Sequence, residues 1–345
     1  MALEHKMTDV NNRLKAKKFS NEVMHEGRGK SWFDKFTSAK GDNVIWVRDD
    51  LKAAGDGVIY PFIRSLEKEG VTGKNRLIGN EETLQQHEIY IGCDVIRHAV
   101  ASFAQDQAWI PWDMDKEARD ALIIWYADKL DQLLTKALTT DNTNILYAPN
   151  ASGVWATAEG QLTSGHKLTV DALSGLKAVL DSSYKIFQHV RVPEFGNKKY
   201  AIGLFHPDVI NDLRKDPDWK TIQKDAAERG SNNPLFSGAE GYVHGTICWS
   251  WDKVPKFLNG YGGIPVYHNV ILGEKSAIHA VKEKMKPISQ EDDYGEIKGK
   301  GVRSIEGLDR VTIEDRENNK KTDFGVIRFV TAGSPAPATF QLFNI

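Results

Sequence analysis

Cysteine is scarce: Cys93 and Cys248 are the two in 345 residues, far apart and outside any CxxC context. That excludes a disulfide framework and a cysteine-built zinc site, and it fits a reducing compartment. Long apolar runs are also missing. The longest, Ala121–Ala127, has seven residues, far short of the roughly 20 that a membrane helix needs. The N-terminus, MALEHKMTDV, carries charges where a signal peptide needs an apolar stretch. We therefore expect no export and no membrane, and a chain starting at Met1 sets the expectation that no long leader is removed. Neither sign of charge is in excess, since 45 Lys and Arg stand against 47 Asp and Glu. A protein whose main task is gripping nucleic acid with a basic face is thereby disfavoured.

What is present is ordinary globular material, 41% hydrophobic and 10% aromatic, in a chain long enough for a large core split into lobes. The first forty residues differ, with nine basic residues against five acidic ones and few aliphatics. Such a segment is either a solvated tail or an arm that packs on its own body or a neighbour. From Gly41 short strands begin: Asn43–Arg48 and Val58–Arg64 are rich in β-branched and aromatic residues. A Gly-punctuated stretch, Glu69–Asn80, then leads to another extended run, His87–Asp94. This strand–loop–strand excursion with a polar tip reads as a projecting arm.

Lys116–Leu138 carries apolar residues at helical spacing, with Asp113 or Asp115 as its cap. Leu122, Tyr126, Leu130, Leu133 and Ala137 share one face, and Asp120, Asp128, Asp131 and Gln132 take the other side. Its predicted length is roughly 35 Å. Thr169–Ser182 reads as a second helix capped by Thr169, and Pro207–Lys215 as a third. Strands are expected at Lys199–Phe205, Thr246–Trp251, Ile264–Tyr267, Ala277–Val281 and Gly325–Val330, with charged loops between the last ones and a polar stretch over Asp216–Pro234. Helices and strands interleave without regular βαβ alternation, which predicts an α+β fold.

Chemistry-bearing motifs are absent. The sequence has no GxxxxGK[ST], no strand-linked GxGxxG and no GxSxG. His206-Pro207-Asp208 admits a metal or proton-relay reading, but a proline that opens a helix makes His206 a cap and Asp208 a first-turn carboxylate. Asp94 and His98, four apart, would share a helix face. His244, His268 and His279 read as structural residues in strands, and Glu291-Asp292-Asp293 with Glu296 as a solvated charge run.

Four stretches resemble one family, the major capsid proteins of podovirus-type tailed phages built on the Hong Kong 97 type of coat fold. They are Gly79-Asn80-Glu81-Glu82, Ile96-Arg97-His98-Ala99-Val100 before the long helix, Phe205-His206-Pro207-Asp208 with Trp219 after it, and Asn233-Pro234-Leu235-Phe236-Ser237-Gly238. They fall in the expected order between about residues 40 and 250. Cys93-Asp94-Val95 departs from the acidic-plus-glutamine pair common in the family.

The resemblance implies an N-terminal arm (1–40), an extended loop (41–95), a peripheral domain (96–149) with the spine helix 116–138, an axial domain (150–270) and a return to the peripheral domain (271–345). It implies a major capsid protein, without catalysis or cofactor, that assembles into the hexamers and pentamers of an icosahedral shell around double-stranded DNA. Contacts between subunits are expected at the loop tip, Val71, Thr72, Gly73, Lys74, Asn75 and Arg76. Contacts of the arm with neighbours or DNA are expected at Arg13, Lys15, Lys17 and Lys18. Partners would be other copies of the chain, weakly held DNA, and scaffolding, portal and decoration proteins, in a virion assembled in the bacterial cytoplasm. Two alternatives remain: a cargo-enclosing compartment shell of the same fold, and a metal-dependent hydrolase using His206, Asp208 and one of His244 or His268.

Overall fold

The structure, a computed structural model, describes residues 18, 20–40, 42–48, 57–63, 70–81, 86–103, 105, 114–183, 186–192, 198–227, 239–315 and 320–335. The chain opens with helix α1 (20–30), followed by β1 (Thr37–Ser38), β2 (Ile45–Arg48), the hairpin strands β3 (Gly57–Ile63) and β4 (Gln86–Gly92), and β5 (Asp94–Phe103). Helix α2 (Met114–Thr139) leads to β6 (Ile145–Tyr147), α3 (Val170–Ser182), β7 (Val190–Val192), β8 (Lys198–Phe205), α4 (Pro207–Lys215) and α5 (Pro217–Ala227). Strands β9 (Gly241–Val243), β10 (Thr246–Ser250), β11 (Lys256–Phe257), β12 (Val266–Leu272), β13 (Ala277–Asp292), β14 (Ile297–Arg310), β15 (Thr312–Asp315), β16 (Lys320–Asp323) and β17 (Val326–Ala332) complete it.

The first layer pairs the spine helix α2 with a five-stranded sheet in the order β1-β2-β13-β14-β5. Leu122, Ile123, Tyr126 and Leu130 pack on Val281, Met285 and Val302 of that sheet. Asp131, assigned to the outer side by its spacing, is instead buried. It accepts hydrogen bonds from Ser31 Oγ at 2.5 Å and Trp32 N at 3.1 Å. A carboxylate satisfied in this way can be enclosed without the penalty of an orphaned charge. At its C-terminal end α2 leaves carbonyls without helical partners. Arg310 donates to the carbonyls of Ala137 at 3.1 Å, Asp141 at 2.7 Å, and Thr140, while its Nε pairs with buried Asp323 at 2.7 Å.

The second layer is an eight-stranded sheet in the order β6-β17-β12-β8-β10-β9, with β11 on β12 and β7 on β8. Helices α3 and α4 cover one face through Leu173, Leu176, Leu180, Val209, Ile210 and Leu213. The caps behave as their residue types predict. Thr169 accepts from Ala172 N, and His206 Nδ1 accepts from Asp208 N at 3.1 Å. The other face packs on Trp32, Phe33 and Phe36, whose rings meet Trp249 and Trp251; the Trp32 and Trp251 centroids lie 4.4 Å apart. Lys35 Nζ sits 3.5 Å from the Trp249 ring centroid. The described part of the basic N-terminal segment is therefore stitched into its own body by aromatics.

Three expectations are corrected. Asp94 and His98 lie on strand β5, not on a helix, because β5 pairs with β14 from Ile297↔Phe103 to Glu306↔Asp94. Two residues four apart on a strand are separated by about 13 Å, so they form no common site. The stretch after Ala277 is not a set of short strands: β13 and β14 make one long hairpin, with shifts of register after Val281 and Glu283. The charge run Glu291–Glu296 is its tip, where Asp292 caps a single turn. The polar stretch from Asp216 contains a further helix, α5. The cap of α2 is not Asp115, which lies inside the helix, while Asp113 falls outside the described residues.

Candidate assembly surfaces

The excursion read from the sequence is a two-stranded antiparallel hairpin, β3 against β4, in register from Gly57↔Gly92 to Ile63↔Gln86. Strand alternation divides its side chains. Ile89 and Ile91 turn inward onto Ile278, Ala280, Val311, Ile313 and Phe324, which roots the hairpin in the first layer. Ile59 and Tyr90, directly opposite each other, face solvent. A Cβ at Gly57 would lie 2.5 Å from the Tyr90 ring, so glycine is what lets that ring lie over the strand.

Within the predicted tip, Val71 is half-buried, and Thr72, Gly73, Lys74, Asn75 and Arg76 are exposed. Gly73 takes φ +72°, a conformation that glycine adopts without strain. The next residues, absent from the sequence-based choice, are the more telling ones: Leu77 is 61% and Ile78 85% exposed. Their turn is pinned by Asn80 N donating to Leu77 O at 2.9 Å, Asn80 Nδ2 to Arg76 O at 3.0 Å, and Gly79 N to Glu81 Oε2 at 2.6 Å. The available signal was two adjacent aliphatics inside a Gly- and Asn-rich loop. Among the described residues, neither Lys74 nor Arg76 has a carboxylate within ion-pair range. The tip thus presents two unpaired cations and two uncovered aliphatic side chains on a preformed turn.

Of the arm residues, Lys18 is exposed and lies 3.8 Å from Glu22. Arg13, Lys15 and Lys17 lie outside the described residues, as does the motif Asn233–Gly238.

Of the residues in the hydrolase reading, the structure brings His206 and Asp208 together, Nδ1 3.6 Å from Oδ2 beside the Tyr267 ring. His206 caps α4, and Asp208 Oδ2 accepts from Tyr267 Oη at 2.6 Å. His268 Nε2 lies 3.0 Å from Glu159 Oε1 and its ring stacks on Phe257, while His244 occupies a turn at φ +46°. Burial lowers the pKa of both His206 and His268 below the ordinary imidazole value, against the opposing pull of Asp208 and Glu159. No group of three or more metal-ligating side chains assembles among the described residues.

One cluster joins His279 and Tyr126, both read from the sequence as structural, to a glutamate that no sequence signal marked. Glu306 on β14 is buried, with Tyr126 Oη of the spine 2.8 Å from each of its oxygens. His279 Nε2 of β13 lies 2.7 Å from Oε2. Arg28 of α1 brings a positive charge to the same pair. Burial pushes the Glu306 carboxyl up, but the His279 hydrogen bond and the His279 and Arg28 charges outweigh it and hold the group below the usual glutamate value.

A spine helix over one sheet, a second sheet flanked by helices, and a rooted, outward hairpin together define a shell subunit of the Hong Kong 97 type. Solved capsids share that architecture. The capsid of Ralstonia phage GP4 superimposes with a TM-score of 0.75 at 21% identity, covering 89% of this chain and 92% of that one. The Cyanophage Pam1 capsid does so with a TM-score of 0.73 at 17% identity, covering 89% and 93%. In sequence, the chain is 23% identical over 356 aligned residues to the major capsid protein of Pseudomonas phage KPP25, covering 91% of this chain and 94% of that protein. It matches the phage capsid protein family over residues 6–334, and it belongs to that family.

Proposed function

We propose that the chain is the major capsid protein of a tailed phage, forming the hexamers and pentamers of an icosahedral shell around double-stranded DNA. The observation that carries this reading is the family match across residues 6–334, nearly the whole chain. In this reading residues 1–40 are the arm, 41–95 the extended loop, 96–149 and 271–345 the peripheral domain, and 150–270 the axial domain. The protein acts by packing and not by catalysis. Val71–Arg76 touch an adjacent subunit, and Arg13, Lys15, Lys17 and Lys18 touch a neighbour or the packaged DNA. Near-balanced charge supports this role, because hundreds of copies then meet without strong mutual repulsion. Assembly takes place in the host cytoplasm with scaffolding and portal proteins, and the shell ends as part of the virion.

The test is electron microscopy of the purified chain together with a nuclease-protection assay on the particles. Closed shells that protect DNA support the reading. Shells filled with protein point to a cargo compartment of the same fold, and a discrete small oligomer that never forms shells, with or without its scaffold, refutes both.

A further inference from the structure

At one end of the second sheet an apolar surface is left uncovered among the described residues. Strands β11, β12 and β17 lie side by side there, and Phe257, Val266 and Ala332 form one row across them. Extending both registers by one residue puts Leu258, Pro265 and Gly333 in the next row, and Gly333 N donates to Pro265 O at 3.4 Å. Phe257, Leu258 and Tyr261 are 42%, 69% and 70% exposed. The loop that presents them is held in shape. Gly263 N donates to Gly260 O and Tyr261 N to Leu162 O, each at 2.9 Å, while Gly262 and Gly263 take φ +72° and +77°. Large apolar side chains fixed in solvent on a preformed turn mark an interaction surface.

We propose that this surface is covered by the segment that follows Pro335, residues 336–345 of the same chain, with Leu342 and Phe343 lying over Leu258 and Tyr261. The inference concerns the folded subunit and stands apart from the shell reading. The point where the described chain leaves the sheet selects the occupant. Gly333 lies against the Tyr267 ring, Ser334 N donates to Asp212 Oδ2 at 2.7 Å, and Lys167 Nζ donates to Ser334 Oγ at 2.8 Å. The exit is thereby anchored two strands from β11, about 10 Å away at the usual strand spacing. Residues 336–345 reach roughly 33 Å when extended, so they cross that gap with length to spare. Pro335 and Pro337 favour an extended departure over a helical one. Composition fits the surface as well. Residues 336–345 have no charged side chain and carry Phe340, Leu342, Phe343 and Ile345. Residues 257–264 are equally uncharged, and neighbouring Lys256 is already paired with Asp208 at 3.5 Å. The rival occupant, the loop tip at Lys74–Ile78 of another copy, would bring two cations to a loop without a carboxylate. Covering the patch keeps unassembled copies from adhering through it.

The experiment uses the full chain carrying L258C with L342C, oxidised while dilute and unassembled and run on non-reducing gels beside each single variant. The two native cysteines give little background, since Cys248 is buried and Cys93 half-buried. A fast-migrating monomer linked within one chain, present in the double variant and absent from the singles, is the expected result. Hydrogen exchange supplies a readout without new cysteines. Amides of residues 258–263 are expected to exchange on the order of tenfold faster in the full chain carrying L342D with F343D than in the wild type. Links that form only between chains, and form equally when L258C chains are mixed with L342C chains, overturn the same-chain occupant in favour of a neighbouring copy. No link of either kind, with exchange unchanged by L342D and F343D, overturns the docking surface itself.

Discussion

The hydroxyl of Tyr126 sits 2.8 Å from both carboxylate oxygens of Glu306, a buried residue 180 positions further along the chain. This pair joins the spine helix to the sheet beneath it, and Arg28 and His279 extend it to α1 and β13. Removing the hydroxyl leaves a buried carboxylate short of a donor. Y126F is therefore expected to lower stability by about 1.5–3 kcal/mol, the range for a hydrogen bond to a charged group. Urea unfolding of the unassembled chain measures it; an unchanged midpoint would show that Glu306 is satisfied without the tyrosine.

The same cluster sets a pH dependence. Glu306 releases its proton more readily in the folded chain than in the unfolded one, so its contribution is present above the ordinary glutamate range and is lost as pH falls through its lowered value. Tyr126 is shifted the other way, well above the ordinary phenol value, first by burial and then by the Glu306 charge. Its contribution holds below the ordinary tyrosine range and disappears as pH rises through the raised value. Stability measured against pH is expected to fall at both ends, and E306Q flattens the acid limb.

Two glycines of α1 make a controlled comparison. A Cβ at Gly27 would lie 2.6 Å from Tyr126 Cδ1 and 3.3 Å from the Ile123 carbonyl, whereas one at Gly29 meets nothing within 4 Å. G29A therefore gains the usual helix preference of alanine over glycine, about 0.5–1 kcal/mol. G27A overpacks the contact with the spine and costs about 1–3 kcal/mol before that same gain is subtracted. Opposite signs from thermal unfolding would confirm that α1 docks through Gly27; equal signs would refute the close approach.

Arg310 occupies the end of the spine with geometry that lysine cannot copy, because it bonds three carbonyls and a buried carboxylate from one planar group. R310A strands Asp323 and is expected to cost about 3–5 kcal/mol, the range for breaking a buried ion pair. R310K should recover less than half of that loss. A full recovery by lysine, read from denaturant midpoints, would show that charge alone matters there.

The local elements were legible from the amino-acid order. The helix Pro207–Lys215 has both ends where Pro207 and the residues around Asp216 place them, and Thr169 caps α3 as its residue type requires. The spine expected over Lys116–Leu138 runs from Met114 to Thr139. These features depend on side chains within a turn or two of one another, so periodicity and capping chemistry record them. The projecting hairpin was legible for the same reason, through strand composition on either side of a glycine-rich loop.

Pairings between distant residues were decided by the tertiary structure alone. Nothing near Asp131 signals that Ser31 and Trp32 will enclose it, and an aspartate on an amphipathic helix reads as solvent-facing until those donors arrive. Ile96–Val100 became part of a strand because β14 supplied a ladder. Likewise Tyr126, His279 and Glu306 met only when the spine settled on the long hairpin. The amino-acid order determined helices α2, α3 and α4, the caps of α3 and α4, the projecting hairpin and the resemblance to a shell subunit. The folded chain determined which polar groups could be buried, because enclosing a charge is favourable only where partners from other elements converge on it.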